Sequence, residues 1–411
     1  MKRLLMIAYH FPPLAGSSGI QRTLRFVQHL PKFNWEPIVL TADPRAYERT
    51  SDDLMADIPK GVVVRRAFAL DTARQLSIAG RYIGAMARPD RWVSWKIAAV
   101  REGVRMIREF KPQAIWSSYP IATAHLIGAE LQKRSGLPWI ADFRDPMVQE
   151  GYPPDPLVRK SYQAIEERAL ATARYSTFTT PSAARTYQLR YPGNADRVVV
   201  LENGYDEETF SSAQNNVTQN RKIHPGAVTL LHSGIVYPEE RDPSELFAAL
   251  GHLKESGRII PGTFKIRFRA SVHDDLLCAL ADKFKVAEFI DCQPPIPYRE
   301  ALMEMLNADG LLVMQASNCN EQIPAKIYEY LRARRPILAL TDPAGDTAVT
   351  LRCAGVNDIA RLDSRSEISE ALPRFIEAIV QSKVIMPHAE IVEQASREGR
   401  TEQLARLLES A

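Results

Sequence analysis

Two glutamates, Glu321 and Glu329, stand eight residues apart around a predicted loop-to-helix junction, with Lys326 between them. A carboxylate about one turn inside a helix can accept paired hydrogen bonds from ribose hydroxyls, while the helix N-terminus favours the adjoining phosphates. A lysine near a helix N-terminus is unfavourable to the helix dipole, so Lys326 indicates an anionic ligand. The pattern therefore predicts a phosphate and ribose site, although charged helix starts without any ligand are common.

A second candidate site follows the first predicted strand, where Gly16 and Gly19 lie in the turn before the next helix. Glycine tolerates positive φ and lets the backbone approach a ligand, and the N–H groups of the following helix would face that ligand. In an open α/β sheet, ligands usually bind in the crevice at the carboxyl ends of the strands. The Gly-x-Gly-x-x-Gly pattern of dinucleotide-binding proteins is absent, and an ordinary βα turn is the alternative interpretation.

Polar side chains also follow two other predicted strands in the first half of the chain. Tyr119 and His125 come after one strand, and Asp142 and Arg144 come at the end of the next. We expect His125 to face the ligand crevice, and Tyr119, Asp142 and Arg144 to contact a substrate or the other domain. The alternatives are a core or helix-capping histidine and a local Arg–Asp salt bridge.

The elements that must position these residues alternate between short β-branched segments and segments of helical periodicity. Strands that are almost continuous in apolar residues, with helices between them, are typical of parallel sheets covered on both faces. The sequence therefore predicts an α/β protein with two doubly wound, Rossmann-like domains. The predicted strands are 4–9, 37–41, 62–66, 114–118, 139–142, 176–180, 198–202, 228–232, 265–270, 287–290, 310–315 and 336–341.

The best linker candidate is the polar stretch 211–226, which divides the chain nearly in half. We therefore expect an N-terminal domain at 1–210, a C-terminal domain at 227–385 and a helical tail at 386–411. Each domain then has about the size of one nucleotide-binding domain.

Composition excludes several classes of protein. Apolar residues make up 45% and charged residues 25%, which is ordinary for a globular chain and argues against disorder. The four cysteines are scattered without a Cys-x-x-Cys pair, as in reduced cytoplasmic proteins. The apolar run 4–9 is too short for a secretory signal or a spanning helix. No Asp-x-Asp and no metal-ligand spacing occurs, so we expect neither a metal ion nor a cofactor.

The charge is unevenly distributed. Lysine and arginine number 52 against 49 acidic residues, yet nine basic and three acidic residues fall within 74–111. Aromatic and apolar residues interleave with these charges, as a basic helix pair at an anionic membrane surface would require. The alternative is a helix that packs its apolar side on the first sheet and leaves its arginines in water. No nucleic-acid recognition motif accompanies the charge, so we expect no nucleic-acid partner.

Four motifs, in this order, resemble the family 4 glycosyltransferases over most of the chain. The matching segments are Tyr9-His-Phe-Pro-Pro with Gly16-Ser-Ser-Gly19, Asn203-Gly204-Tyr-Asp206, His232-Ser-Gly234, and Glu321-x7-Glu329. The resemblance implies the GT-B fold of two facing Rossmann-like domains, of which the first binds the acceptor and the second a nucleotide-diphosphate-sugar donor.

The resemblance also implies roles for individual residues. Glu329 would hold the donor ribose, and Glu321 and His125 would lie near the donor sugar. Gly16 and Gly19 would close on the phosphates or the acceptor.

Two departures from the family pattern bear on the donor site. Family members commonly have an arginine directly after the glycine that matches Gly234, where this chain has Ile235, and a second cation about six residues later, which is Arg241 here. Because a diphosphate leaving group needs nearby positive charge, we expect Arg241 and Lys326 to neutralise it. An exposed ion pair of Arg241 with a neighbouring acidic residue is the alternative. The other departure is Gln322-Ile323, where many relatives have Gly-Phe-Gly, and it leaves the donor sugar open.

The resemblance implies a metal-independent, retaining glycosyltransferase of the hexosyltransferase type. It would transfer a sugar to a glycan or lipid-linked acceptor in surface polysaccharide or glycoconjugate biosynthesis, in the cytoplasm or on the inner face of the plasma membrane. The nucleotide-sugar is a substrate and no cofactor is needed. A GT-B nucleotide-sugar epimerase and a catalytically silent nucleotide-binding scaffold are the alternatives, the latter because of Ile235.

Overall fold

The structure is a computed structural model that describes residues 1–17, 19–215 and 222–411. The chain folds into two compact units. One unit consists of Met1–Asn203 together with Arg397–Ala411, and the other consists of Gly204–Ser396.

The first unit is built on a parallel sheet of seven strands within the described part of residues 1–203. The strands are β1 (Lys2–Ala8), β2 (Trp35–Ala42), β3 (Val63–Ala67), β4 (Ala114–Ser118), β5 (Trp139–Arg144), β6 (Tyr175–Phe178) and β7 (Val198–Val200). Their order in the sheet is β3-β2-β1-β4-β5-β6-β7, and every neighbouring pair is parallel. The strand order reverses between β1 and β4, so the carboxyl ends of these two strands form the topological switch point of a doubly wound fold.

Helices cover both faces of this first sheet. They are α1 (Gly19–His29), α2 (Thr72–Gln75), α3 (Trp95–Phe110), α4 (Thr123–Ser135), α5 (Pro156–Thr172) and α6 (Pro181–Arg190). Along β1, Leu5 and Ile7 belong to one apolar core, while Leu4 and Met6 belong to another. Since successive side chains of a strand point to opposite faces, two covered faces require the almost continuous apolar sequence.

The second unit repeats this plan with six parallel strands among the described residues of 204–396. They are β8 (Val228–Ser233), β9 (Phe264–Arg269), β10 (Ile290–Gln293), β11 (Gly310–Met314), β12 (Ile337–Leu340) and β13 (Ile359–Ala360), in the order β10-β9-β8-β11-β12-β13. The helices are α7 (Glu207–Gln214), α8 (Ser244–Glu255), α9 (Asp274–Phe284), α10 (Tyr298–Asn307), α11 (Lys326–Ala333), α12 (Asp346–Cys353), α13 (Arg365–Val380) and α14 (Ala389–Gln394). The two-domain parallel α/β architecture predicted from the sequence is confirmed.

The limits of the units differ from the expected limits 1–210, 227–385 and 386–411. Residues 207–214 form α7, which buries Phe210 in a core of the second unit, so residues 211–214 of the expected linker 211–226 belong to that unit. Residues 216–221 of the expected linker lie outside the described residues. The last helix, α15 (Arg397–Glu409), returns to the first unit, where Leu404 and Leu408 pack with Trp35.

The basic stretch 74–111 differs from the expected helix pair. The helix α2 is only a single turn, and α3 buries Trp95, Ala99, Val100 and Met106 against the first unit. The arginines of α3 point away from this core, and one of them, Arg105, pairs with Glu102 at 3.2 Å. For α3 the structure therefore matches the alternative in which the helix packs on the sheet.

Candidate functional site

A cavity of about 300 Å³ in the second unit lies where β8 and β11 end beside the start of α11. It brings together three of the residues predicted from the sequence, Gly234, Arg241 and Lys326. The remaining lining residues are His232, Ser233, Ile235, Tyr237, Leu312, Val313, Met314, Pro324, Ala325, Ile327 and Tyr330. Crevices at the carboxyl ends of parallel strands, beside a helix N-terminus, are the usual anion sites of such sheets.

The chain turns at Gly234 immediately after β8. Its φ is +140°, a conformation that residues with a Cβ rarely adopt, and its N–H donates to the Arg269 carbonyl oxygen at 2.9 Å. The Tyr330 hydroxyl accepts from the Ser233 N–H at 2.8 Å and so joins α11 to the end of β8. These contacts fix the backbone at the mouth of the cavity.

Arg241 brings a cation to the cavity from the loop after β8. Its Nη1 donates to the carbonyl oxygen of Ile235, and its guanidinium lies 5.3 Å from the centre of the Tyr237 ring. No carboxylate pairs with Arg241 among the residues that the structure describes, so the expected alternative of an exposed ion pair is not observed. Ile235 stands where family members commonly have an arginine. It thus accepts a hydrogen bond from Arg241 through its backbone carbonyl oxygen.

The first turn of α11 carries Lys326 and Glu329. The two charged groups lie 3.7 Å apart, Nζ to Oε2, and the Tyr298 hydroxyl donates to Glu329 Oε1 at 2.7 Å. Glu329 does not itself line the cavity, but this ion pair places its carboxylate next to Lys326, which does. The side chain of Glu329 is 15% exposed and therefore remains partly accessible.

Glu321 lies apart from this group. It is exposed, belongs to the loop before α11 and is not among the residues that line the cavity. Gln315 holds this loop by donating to the carbonyl oxygens of Cys319 at 2.8 Å and Gln322 at 3.0 Å.

His232 also lines the cavity, although the sequence analysis gave it no role. Its ring is buried, and Nδ1 lies 3.0 Å from the carbonyl oxygen of Leu312, which can only accept a hydrogen bond. Burial lowers the pKa of His232 to about 4, and the positive charges of Arg241 and Lys326 act in the same direction. His232 is therefore neutral at pH 7, with its proton on Nδ1. Its position directly before Ser233-Gly234 at the strand end was the signal available in the sequence.

In the first unit, Asp142 is completely buried at the end of β5. It accepts from Arg22 of α1 at 2.8 and 2.9 Å, from Thr177 at 2.7 Å and from Ser118 at 3.0 Å. Both carboxylate oxygens are thus engaged within the unit, and the ionic partner is Arg22 rather than a local arginine. The pairing with Arg22 leaves no signal in the local sequence, because the two residues are 120 positions apart.

Arg144, Gly19 and His10 meet beside the start of α1. A Cβ on Gly19 would lie 2.6 Å from Arg144 Nη1 and closer still to His10 Nδ1, so a larger residue there would have to displace these side chains. The Ser17 hydroxyl lies 3.0 Å from His10 Nδ1, and burial together with the charge of Arg144 lowers the pKa of His10 to about 4. Ser18 of this turn lies outside the described residues.

Gly16 and Tyr119 belong to the same region. Gly16 needs its φ of +81° but has open space around it, so its role is conformational. Tyr119 is only 5% exposed, and its carbonyl oxygen lies 3.4 Å from Arg144 Nη1. Burial raises the pKa of the Tyr119 hydroxyl, so it stays protonated.

His125 lies in the core rather than at an open crevice. Its side chain is completely buried, its Nδ1 lies 2.8 Å from the Ser117 hydroxyl, and its ring centre is 4.8 Å from that of Phe143. Burial lowers the pKa of His125 to about 4. This geometry matches the core histidine that was the alternative to a role beside the donor sugar.

The described part of the chain contains no group of three or more His, Cys, Asp or Glu residues placed to hold a metal ion. None of its helices combines the length and the apolar character required to cross a membrane.

Residues 18–204 match the family model of the glycosyl transferase 4-like domain. No curated protein matches the chain in sequence.

Similar solved structures include HepE of Anabaena in complex with UDP, with 13% identity, a TM-score of 0.67 and all of both chains covered. Sucrose-phosphate synthase from Thermosynechococcus elongatus shares 13% identity at a TM-score of 0.61, with 100% of this chain and 99% of that chain covered. A protein assigned as UDP-N-acetylglucosamine 2-epimerase, from Listeria monocytogenes, shares 10% identity at a TM-score of 0.54, with 100% and 96% covered. At these identities the likeness establishes the fold. Residues 18–204 therefore form a glycosyl transferase 4-like domain, and the two Rossmann-like units have the GT-B fold.

Proposed function

We propose that this protein transfers a sugar, of the hexose type, from a nucleotide-diphosphate-sugar to a glycan or lipid-linked acceptor. The observation that carries the proposal is the cavity at the ends of β8 and β11, with Arg241 and Lys326 in its wall and the start of α11 beside it. Two cations and a helix N-terminus suit a diphosphate. The complex of HepE with UDP-glucose, a structure that shares 14% identity with this chain, is in line with such a donor.

In this proposal Glu329 accepts hydrogen bonds from the donor ribose. The carboxylate stands one turn inside α11, and its Oε1 already accepts from the Tyr298 hydroxyl. A ribose that uses Oε2 would replace the long contact of that oxygen with Lys326 and leave the lysine to the phosphates.

Arg241 and Lys326 would then neutralise the diphosphate as its bond to the sugar breaks. We propose retention of the anomeric configuration by attack on the same face, with the departing diphosphate taking the acceptor proton. No metal ion and no cofactor enters this scheme. Glu321 is proposed to reach the donor sugar from its exposed loop. His125 is buried against Phe143 of the first sheet, so it is proposed to act by packing rather than by contact with the donor sugar.

For the acceptor we propose the region around Arg144, Tyr119 and Gly19. Arg144 is the cation of this group and is half-buried, and Asp142 is proposed to position the end of β5 through its bonds to Arg22. We further propose that the protein works in surface polysaccharide or glycoconjugate biosynthesis, in the cytoplasm at the inner face of the plasma membrane. The excess of positive charge in 74–111 supports a peripheral membrane contact.

The test combines binding and turnover. Nucleotide-sugars are first screened by thermal shift, and the release of nucleoside diphosphate is then measured with and without a lipid-linked acceptor. Glu329→Ala should weaken nucleotide binding about 10- to 100-fold, as loss of hydrogen bonds to a charged group predicts. Lys326→Ala should lower turnover about 100-fold while the nucleotide still binds. The exposed residues Glu390 and Lys383 provide matched alanine controls.

Unchanged donor affinity and turnover in both variants would remove the site assignment. Interconversion of the nucleotide-sugar without an acceptor would instead support the epimerase alternative. The Listeria protein, which is assigned as an epimerase, has a similar fold. Binding without release of nucleoside diphosphate under any condition would support the silent scaffold.

A further inference from the structure

Residues 72–91 of the first unit form a loop that is closed at its base, here called the anchor loop. At the base, the Thr72 N–H donates to the carbonyl oxygen of Arg91 at 2.9 Å, and Arg91 pairs with the completely buried Asp71 at 2.6 Å. The Thr72 hydroxyl donates to the Met86 carbonyl oxygen at 2.9 Å. The loop is therefore held in a definite arrangement on the unit.

The tip of the anchor loop is a tight turn. Ile78 and Arg81 exchange two backbone hydrogen bonds of 2.8 and 3.0 Å. The residues between them, Ala79 and Gly80, both have positive φ, as in a type I′ turn. This geometry fixes the backbone that carries Ile78.

Large apolar side chains project from this loop into solvent. Every residue from Ile78 to Met86 is exposed, and Ile78 is 84% and Ile83 69% accessible. Tyr82 and Met86 are exposed as well, at 43% and 41%. Scattered apolar residues are normal on a surface, but a cluster on one ordered loop indicates a binding surface.

The charge of the loop indicates the kind of partner. Between residues 72 and 89 there are three arginines, Arg74, Arg81 and Arg88, and no acidic residue. None of the three pairs with a carboxylate among the residues that the structure describes. The flanking Asp71 and Asp90 are buried and engaged in bonds within the unit, so they do not offset this charge at the surface.

We propose that the anchor loop docks on an anionic phospholipid surface, with Ile78 and Ile83 in the acyl–headgroup boundary and the arginines at the lipid phosphates. Apolar side chains flanked by cations match both layers of such an interface. The long stem of Arg81 lets its guanidinium reach the phosphates while the neighbouring side chains enter the apolar layer. Within the basic stretch 74–111, this assigns the membrane contact to the anchor loop rather than to α3, which buries Trp95, Ala99, Val100 and Met106 within the unit.

The test measures sedimentation of the full chain with phosphatidylcholine vesicles, with and without phosphatidylglycerol. We expect binding only to the anionic vesicles. The variant I78S/I83S should bind them about ten-fold more weakly or worse, because two large apolar side chains are lost from the interface. R81E/R88E should also weaken binding, and added salt should reduce binding by the wild type.

The control variant L189S/I260S removes two apolar residues that are 83% and 59% exposed elsewhere, and it should bind as the wild type does. A second comparison, R101E/R108E, changes charge on α3 only, and we expect it to retain most of the binding. Loss of binding in R101E/R108E but not in I78S/I83S would overturn the anchor loop while leaving a membrane contact of 74–111 in place.

Two other results would also overturn the proposal. One is equal vesicle binding by I78S/I83S and L189S/I260S. The other is self-association of the wild type that I78S/I83S abolishes, without any vesicle binding, which would assign the loop to contact with a second copy. Vesicle binding needs no substrate, so these results are independent of glycosyl transfer.

Discussion

The buried ion pair of Arg22 and Asp142 permits a quantitative prediction for the substitution Asp142→Ala. The Asp142 side chain is 0% exposed and that of Arg22 6% exposed, and two hydrogen bonds of 2.8 and 2.9 Å join them. Removal of Asp142 leaves a buried guanidinium whose remaining partners are chiefly the carbonyl oxygens of Leu201 and Glu202. Breaking a buried pair in this way costs about 3–5 kcal/mol.

For a unit of this size, each kcal/mol shifts the melting temperature by about 2–4 °C. We therefore expect the first unit of Asp142→Ala to melt roughly 10 °C below the wild type. Burial opposes the charge on Asp142, but the charge of Arg22 and hydrogen bonds from Arg22 and Thr177 outweigh it and hold the pKa below its usual value. Because its pKa is depressed, the ionised Asp142 stabilises the fold at pH values above the pKa of the unfolded state, near 3.9. The loss of stability in Asp142→Ala should therefore be constant through neutral pH and shrink only in acid.

Calorimetry of the wild type, Asp142→Ala and the double variant R22M/D142L tests this prediction. The double variant should recover much of the loss, because two apolar side chains leave no unpaired charge. Nucleotide affinity should be the same in all folded forms, since the pair belongs to the first unit. A melting temperature of Asp142→Ala within about 2 °C of the wild type would refute the reasoning. So would a double variant no more stable than Asp142→Ala.

Three further predictions concern other residues. Gly19→Ala should displace the side chains of Arg144 and His10, which its Cβ would meet, and lower acceptor-dependent release of nucleoside diphosphate with little change in donor affinity. Arg241→Ala should weaken binding of the nucleoside diphosphate about ten-fold by calorimetry, because a charge-assisted hydrogen bond to the diphosphate is lost. Glu166 is completely buried, and this burial raises its pKa to about 7, although Arg190 acts against it. Because its pKa is raised, the protonated Glu166 stabilises the fold at pH values below its ordinary pKa of 4.5. This stabilisation is lost as the pH rises to 7. The wild type should therefore lose up to about 3 kcal/mol relative to Glu166→Gln between these pH values, measured by denaturant unfolding.

Each of these predictions has a matched comparison. Gly16→Ala strains the backbone but meets no neighbouring atom, so it should cost about 1 kcal/mol of stability and leave Arg144 in place. An equal effect of both glycine substitutions on release would contradict the argument from close approach. Unaltered affinity of Arg241→Ala for the nucleoside diphosphate would remove that residue from the diphosphate site. A pH profile of stability identical in Glu166→Gln and the wild type would contradict the raised pKa.

The sequence by itself determined the class of fold, because two covered sheet faces require apolar residues at nearly every strand position. The predicted strand 114–118 coincides with β4, and the predictions for β1 and β8 are correct within a few residues. The strand predicted at 287–290 is instead a short 3-10 helix followed by β10 from Ile290. The strand β10 lies at the sheet edge and is only half-buried, so its apolar pattern is weak. The two-residue β13 has no pattern of its own and depends on pairing with β12.

The sequence also placed cations and glycines at strand ends, and the structure brings Gly234, Arg241 and Lys326 to one cavity. Only the tertiary structure decided which groups pair. Asp142 and Arg144 stand two positions apart, but the pairing of β5 with β6 shifts between them and Arg144 has a φ of +63°. The carboxylate therefore meets Arg22, far away in the chain.

The position of the last helix, α15, was also decided by the tertiary structure and not by the local sequence. The sequence predicts a helical tail at 386–411 but does not indicate which surface the tail covers, and α15 packs on the first unit. Local sequence determines which residues form an element, because backbone preference and apolar periodicity act over a few residues. The partner of a buried charge or of a helix face depends on the spatial arrangement of distant segments, and only the folded chain supplies that arrangement.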